Sequence, residues 1–179
     1  MSVQTDLVTV EEFLKLPPAR EGHYELHHGE VVLAPPPKWG HQVCQKKIEL
    51  LLSRLLDNRG MVMMEMAFRP TPEHEVWQAD VGFVEARRAA QTSQEQYLMG
   101  APDLVVEVLS PSNTVDEIND KMALCLENGC SSFWVVDPKR KRVSVTEGDV
   151  TRHYGTATQV ECAISDGTFP AGELFEQLN

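Results

Sequence analysis

Residues 104–109, Leu-Val-Val-Glu-Val-Leu, constrain the fold more than any other stretch of the chain. Five apolar residues broken only at Glu107, with a Ser-Pro-Ser turn directly behind them, predict a buried strand. A glutamate in such a strand needs a partner, because losing its water costs several kcal/mol or forces it to take up a proton. Alternate side chains of a strand share a face, so Asp103, Val105, Glu107 and Leu109 point one way while Leu104, Val106 and Val108 point the other.

The surrounding pattern supplies the rest of the sheet. Thr9 with Glu12 predicts a capping box opening a short helix that Pro17 and Pro18 stop, and residues 1–20 read as this helix and its lead-in. Tyr24, Leu26, Val31 and Leu33 alternate with polar neighbours around a His-Gly turn, which predicts a hairpin. Val43, Ile48, Leu51, Leu52, Leu55 and Leu56 have helical spacing, with Gly60 expected as the C-terminal cap. Two strand-like runs, 61–70 and 75–85, flank a Thr-Pro-Glu-His turn, and residues 86–100 read as loop with a little helix. After the strand at 104–109, Thr114 and Glu117 repeat the capping box for a helix ending at Gly129. A hairpin around Asp137 and Pro138 follows, then weaker strand and a short terminal helix. The expectation is a single α/β domain over residues 1–179, with helices packed against a central mixed sheet.

Several function classes are excluded or disfavoured. The phosphate-binding loops G-x-G-x-x-G and G-x-x-x-x-G-K-[ST] are absent, so no organic nucleotide cofactor is expected. Cys44, Cys125, Cys130 and Cys162 form no C-x-x-C pair and are expected as free thiols in the core. No apolar run approaches the roughly 18 residues of a membrane span and the first ten residues lack a leader pattern, so no membrane association and a cytoplasmic location are expected. A formal charge of -11 argues against a broadly basic nucleic-acid binder. The run Lys139, Arg140, Lys141, Arg142 is expected as a solvated hairpin tip, and His23, His27 and His28 as exposed histidines lacking a third zinc ligand.

Asp80 is a lone acid out of phase with Trp77, Ala79, Val81 and Phe83, so two neighbouring strands each carry an inward acid, Asp80 and Glu107. Such a pair suits Mg²⁺, which takes one or two protein carboxylates and fills its remaining positions with water and phosphate oxygens. The alternative is a structural role, with both acids capped by backbone amides or paired with Arg69 or Arg87.

Taken together, "YELHHGEVV" with the proline-rich stretch and His41 behind it, "QADVGFVE", "APDLVVEVLSPSN", "DKMALCLENGCSSFWVVDP" and "KRKRVSV" resemble the Uma-two family of restriction-endonuclease-like proteins in the PD-(D/E)xK nuclease superfamily. The resemblance implies a restriction-endonuclease-like αβββαβ core behind an N-terminal helix and β-hairpin. It also implies phosphodiester hydrolysis of DNA with Mg²⁺, or Mn²⁺ as substitute, and a homodimer, for which Trp134 in the apolar "SSFWVVD" strand is expected to face the partner. By the same resemblance, Asp80 and Glu107 are the metal-binding acids with the Val108 carbonyl as an extra ligand. The superfamily's strand lysine is replaced by Leu109, and Lys121 of the following helix takes its place; Glu25 is a further catalytic acid, and His41 is a further residue that matches the family. A catalytically silent nuclease fold serving as a binding or assembly module is the alternative.

Overall fold

The structure, a computed structural model, describes residues 7–165 and 167–176. Helix α1 (Val10–Phe13) begins at Thr9, whose hydroxyl accepts from the Glu12 amide while the Glu12 carboxylate accepts from the Thr9 amide. Strands β1 (His23–His27) and β2 (Glu30–Ala34) turn at His28 and Gly29, both left-handed with φ of 51° and 79°. Then come α2 (Trp39–Leu55), β3 (Gly60–Arg69), β4 (Trp77–Glu85), α3 (Ala86–Gln91), β5 (Leu98–Met99) and β6 (Leu104–Val108). Helix α4 (Val115–Glu127) leads to β7 (Ser132–Asp137), β8 (Arg142–Glu147) and β9 (Val150–Gly155). The small pair β10 (Gln159–Glu161) and β11 (Thr168–Pro170) and a 3-10 turn, Ala171–Phe175, complete the described chain.

Seven strands form one mixed sheet in the order β5-β3-β4-β6-β7-β8-β9, and α2, β3, β4, β6, α4 and β7 are the expected αβββαβ core. Strands β6 and β7 run parallel, joined through α4, while β4 pairs antiparallel with β6. Ile48 and Leu52 of α2 pack with Val81, Phe83, Leu104 and Val106 on one side of the sheet, where Phe169 and Leu174 also lie. Cys125, Ile118 and Met122 of α4 pack with Val105 and Phe133 on the other. Strand β6 is therefore covered on both faces, and this is why its sequence is apolar at every position but one.

Two expectations are corrected. Gly60 does not cap α2, whose C-terminal cap is Leu56; it opens β3 opposite Glu85, where a Cβ would lie 2.1 Å from the Val84 carbonyl oxygen. The left-handed residue of that connection is Asn58, at φ 59°. Trp134 faces no partner: it is fully buried, its indole N–H donates to the Ser132 hydroxyl at 2.9 Å, and its ring stacks on Phe169 with centroids 5.7 Å apart. The four cysteines are free and buried, and burial pushes each thiol's pKa up. No described helix is long and apolar enough to cross a membrane.

Candidate active site

The β4–β6 ladder pairs Phe83 with Leu104, Gly82 with Val105 and Val81 with Val106, then stops one step short of Asp80 and Glu107. Just before β4, Val76 bridges to Leu26 of β1 through two 2.8 Å backbone bonds. Between β6 and β1 the backbone of β4 is left with unpaired groups, which an enclosed strand cannot tolerate. Charged side chains take them. The Asp80 amide donates to Glu107 Oε1 at 3.4 Å and the Val108 amide to Asp80 Oδ2 at 2.6 Å. The Gln78 amide donates to Glu25 Oε2 at 3.1 Å, and the Gln78 carbonyl accepts from Lys121 Nζ at 2.6 Å. The gap thus gathers Asp80, Glu107, Lys121 and Glu25 from β4, β6, α4 and β1.

Lys121 is only 7% exposed, so it is not a solvated helix lysine, and its Nζ lies 2.8 Å from Glu107 Oε1. Burial works to lower its pKa, but the charges of Glu107, Glu25 and Asp80 outweigh that and hold the ammonium firmly protonated. The Trp77 ring adds a face 5.9 Å from Nζ. Burial pushes Glu107 the other way, raising its proton affinity; Lys121 opposes the shift and Asp80 adds to it.

Asp80 is held from the α2 side. His41 Nε2 lies 2.9 Å and Gln45 Nε2 3.0 Å from its Oδ1. Burial lowers the His41 pKa, but Asp80, Glu65 and Glu107 more than reverse it, leaving the imidazole above its usual value. The buried Gln45 amide also reaches Glu65 of β3, as does the Gln78 side chain. Met64 pairs with Val81 and Met66 with Ala79, so Glu65 stands level with Asp80, and its left-handed φ of 52° interrupts the ladder there. Sequence reasoning missed Glu65, although it is a lone acid within an apolar run, the signal that had found Asp80.

Of the hairpin histidines His28 is exposed, as expected, whereas His23 and His27 are half-buried. Alternation along β1 places His23, Glu25 and His27 on one face, with His23 Nε2 3.2 Å and His27 Nε2 3.0 Å from the Glu25 oxygens. Burial raises the Glu25 pKa, but these two imidazoles and Lys121 override it and hold the carboxyl well below the usual range. The Glu25 hydrogen bond in turn raises His23. His27 stacks on Trp77 at 3.5 Å, and His28 bridges Glu75 at 2.9 Å to Asp120 of α4 at 2.8 Å. Neither Arg69 nor Arg87 pairs with Asp80 or Glu107.

Among the described residues no three His, Cys, Asp or Glu side chains stand together as a ready-made metal cage. The donor set nevertheless fits a hard, water-rich cation. Glu107 uses Oε1 for its hydrogen bonds, and Oε2 accepts none among the described residues. Asp80 takes three donors on a carboxylate that has about four lone-pair positions. Val108 enters the site through its amide.

The profile of the Uma2 family, described as "Putative restriction endonuclease", matches residues 10–172. The chain is also similar in structure to the crystallised "putative nuclease belonging to DUF820" from Anabaena variabilis. The TM-score is 0.82, at 20% sequence identity, covering 96% of this chain and 99% of that one, and the likeness shows the fold. No curated protein matches the chain in sequence.

Proposed function

The chain belongs to the Uma2 family, and from that premise we propose that it is a Mg²⁺-dependent endonuclease hydrolysing DNA phosphodiester bonds. The observation that carries the reading is the convergence, in one gap of the sheet, of two acids on adjacent strands and a buried lysine from the next helix. Asp80 and Glu107 would hold the ion, with the Val108 carbonyl as a further oxygen. When bound, Mg²⁺ or Mn²⁺ supplies positive charge to a phosphoryl oxygen and makes a bound water more acidic.

The chain's own groups do the rest. Two of the three N–H bonds of Lys121 are taken by Gln78 and Glu107, and the third is free to donate to the attacking water or to a non-bridging phosphoryl oxygen. Glu25 keeps the ammonium charged and clasps the strand that carries Asp80. His41 and Gln45 fix the Asp80 carboxylate, leaving its second oxygen to the Val108 amide.

The test is cleavage of supercoiled plasmid, single-stranded DNA and RNA with Mg²⁺, Mn²⁺ or chelator. Nicking or linearisation of DNA that needs metal and is lost in Asp80→Ala and Glu107→Ala is expected. A parent protein inert under every condition leaves the silent binding module standing, and cleavage retained by Asp80→Ala refutes the assigned site.

A further inference from the structure

The chain is strongly acidic, and the gap in the sheet adds four carboxylates of its own if Glu65 is counted, so a phosphate backbone needs a cationic border to approach it. The first turn of α4 brings Asp116 and Glu117 instead. The opposite flank differs. Because β6 and β7 are parallel, with Glu107 level with Val135 and Val108 with Val136, the end of β7 lies at the end of the sheet where Glu107 sits. The turn there, residues 138–141, with Arg142 opening β8, holds the only run of four consecutive basic residues in the chain, and all four are exposed.

The turn is built rather than merely solvated. Asp137 is 5% exposed and accepts the Arg140 amide and guanidinium, each at 2.9 Å, while Lys141 is left-handed at φ 50°. On the Glu107 face the strands that lead to it, β7 to β9, carry one acid, Asp137, which is buried and paired with Arg140. Glu107, Val135, Ser144 and His153 form one row across β6, β7, β8 and β9, with Ser144 and His153 hydrogen-bonded at 2.8 Å. On that face β8 and β9 carry Arg142, Ser144, Thr146, Thr151, His153 and Gly155, with no carboxylate.

We propose that the β7–β8 turn, through Lys139, Lys141 and Arg142, docks the sugar–phosphate backbone of a DNA duplex about three to four nucleotides from the phosphodiester held at Glu107 and Asp80. Strands about 4.8 Å apart with about 3.3 Å of rise per residue put the turn about 10–15 Å from Glu107. Duplex DNA advances about 3.4 Å per nucleotide of one strand, which converts that span to the stated spacing. The interval is long enough to leave the negative charge of the acid cluster in place for a cation, and short enough for one straight duplex to touch both.

The inference rests on the nuclease reading of the gap, and its test separates the two. A fluorescein-labelled duplex of about 20 base pairs is titrated by anisotropy in metal-free buffer over a series of NaCl concentrations. The parent is compared with Lys139→Gln/Lys141→Gln and with Arg59→Gln/Arg87→Gln, a charge-matched pair exposed at the far end of the sheet. The turn variant is expected to bind about tenfold or more weakly at 0.1 M salt and to lose about 2 from the salt slope, since each phosphate contact contributes about 0.9. The far pair is expected to change neither, and a single-stranded probe to show the smaller loss. An unchanged slope for the turn variant, an equal loss in the far pair, or a parent that binds no duplex overturns the proposal. Slope loss in a parent that never cleaves would uphold the docking site and sink the nuclease; cleavage with an unchanged slope would do the reverse.

Discussion

Replacing Lys121 by Met removes the one ammonium among Glu107, Glu25 and Asp80 while keeping most of the buried stem, so the change isolates charge from volume. Glu107 is then left 7% exposed without its partner, and the Gln78 carbonyl loses its donor. Breaking a buried pair from one side costs about 3–5 kcal/mol. The cost should depend on pH with a definite sign. Glu107 already has a raised proton affinity in the folded state, so between its ordinary value near 4.5 and its raised value the native chain binds more protons than the unfolded one. Stability therefore falls as pH rises across that window, by at most about 1.4 kcal/mol per pH unit. Without Lys121 the Glu107 pKa rises further, so the window widens and the variant loses more at pH 8.5 than at pH 5.5. Urea unfolding followed by the fluorescence of the buried Trp77 and Trp134 measures this at each pH. Glu107→Gln with Lys121→Met should recover most of the loss and flatten its pH dependence. A Lys121→Met penalty below about 1 kcal/mol that is the same at both pH values would refute the assignment of Lys121 as the charge partner of the site.

Mg²⁺ at about 100 times its dissociation constant should stabilise the parent by about 2.7 kcal/mol, visible as a raised Tm, and Glu107→Gln should narrow the shift; equal shifts in both proteins would place the ion elsewhere. Glu25, depressed in the folded state, stabilises above about pH 4.5 and loses its contribution as pH falls, whereas His23, raised, stabilises below about pH 6.5 and loses its contribution as pH rises through the folded value. The stability difference between parent and Glu25→Gln should accordingly peak near pH 5–6 in urea titrations and shrink on both sides; a flat profile would show that the His-Glu-His clasp is not formed. Trp134→Ala should cost about 3–5 kcal/mol as a core truncation and leave the sedimentation coefficient unchanged; a change of assembly state with little loss of stability would return Trp134 to an interface.

Period-two phase made Asp80 and Glu107 legible, because an inward acid in an apolar strand is visible in the sequence itself. Lys121 needed the resemblance: helical periodicity places it only at the rim of the α4 stripe, and its burial depends on Gln78, 43 residues away. Glu65 carried the same lone-acid signal, but its place level with Asp80 depends on a left-handed backbone that no residue type announces as Gly would. The clasp of His23 and His27 on Glu25 was readable as spacing, whereas the Gln78 amide that fixes its place comes from another strand. Trp134 illustrates the limit from the other side. An apolar strand that will be covered on both faces looks the same as one with a sticky surface, and the cover here, Phe169, comes from a weakly patterned strand 35 residues later.

The site exists because the hydrogen bonding of β4 is interrupted between β1 and β6. Three backbone amides and one carbonyl would otherwise be orphaned there, and four charged side chains satisfy them. Those contacts alone would make the cluster structural, the role of any polar network that completes a sheet. What exceeds that role is the remainder: Glu107 Oε2, the unused lone-pair capacity of Asp80 and the third N–H of Lys121 all lie beyond what the backbone requires. A strand lysine at the half-buried position of Leu109 would tie no helix to β4. A lysine delivered by α4 instead ties the helix to the open edge of β4 through Gln78, so the ammonium is fixed by the same gap that orients the carboxylates. Groups held by backbone contacts need no reorganisation when charge develops beside them, and this is the condition under which a single N–H donor contributes most to a transition state.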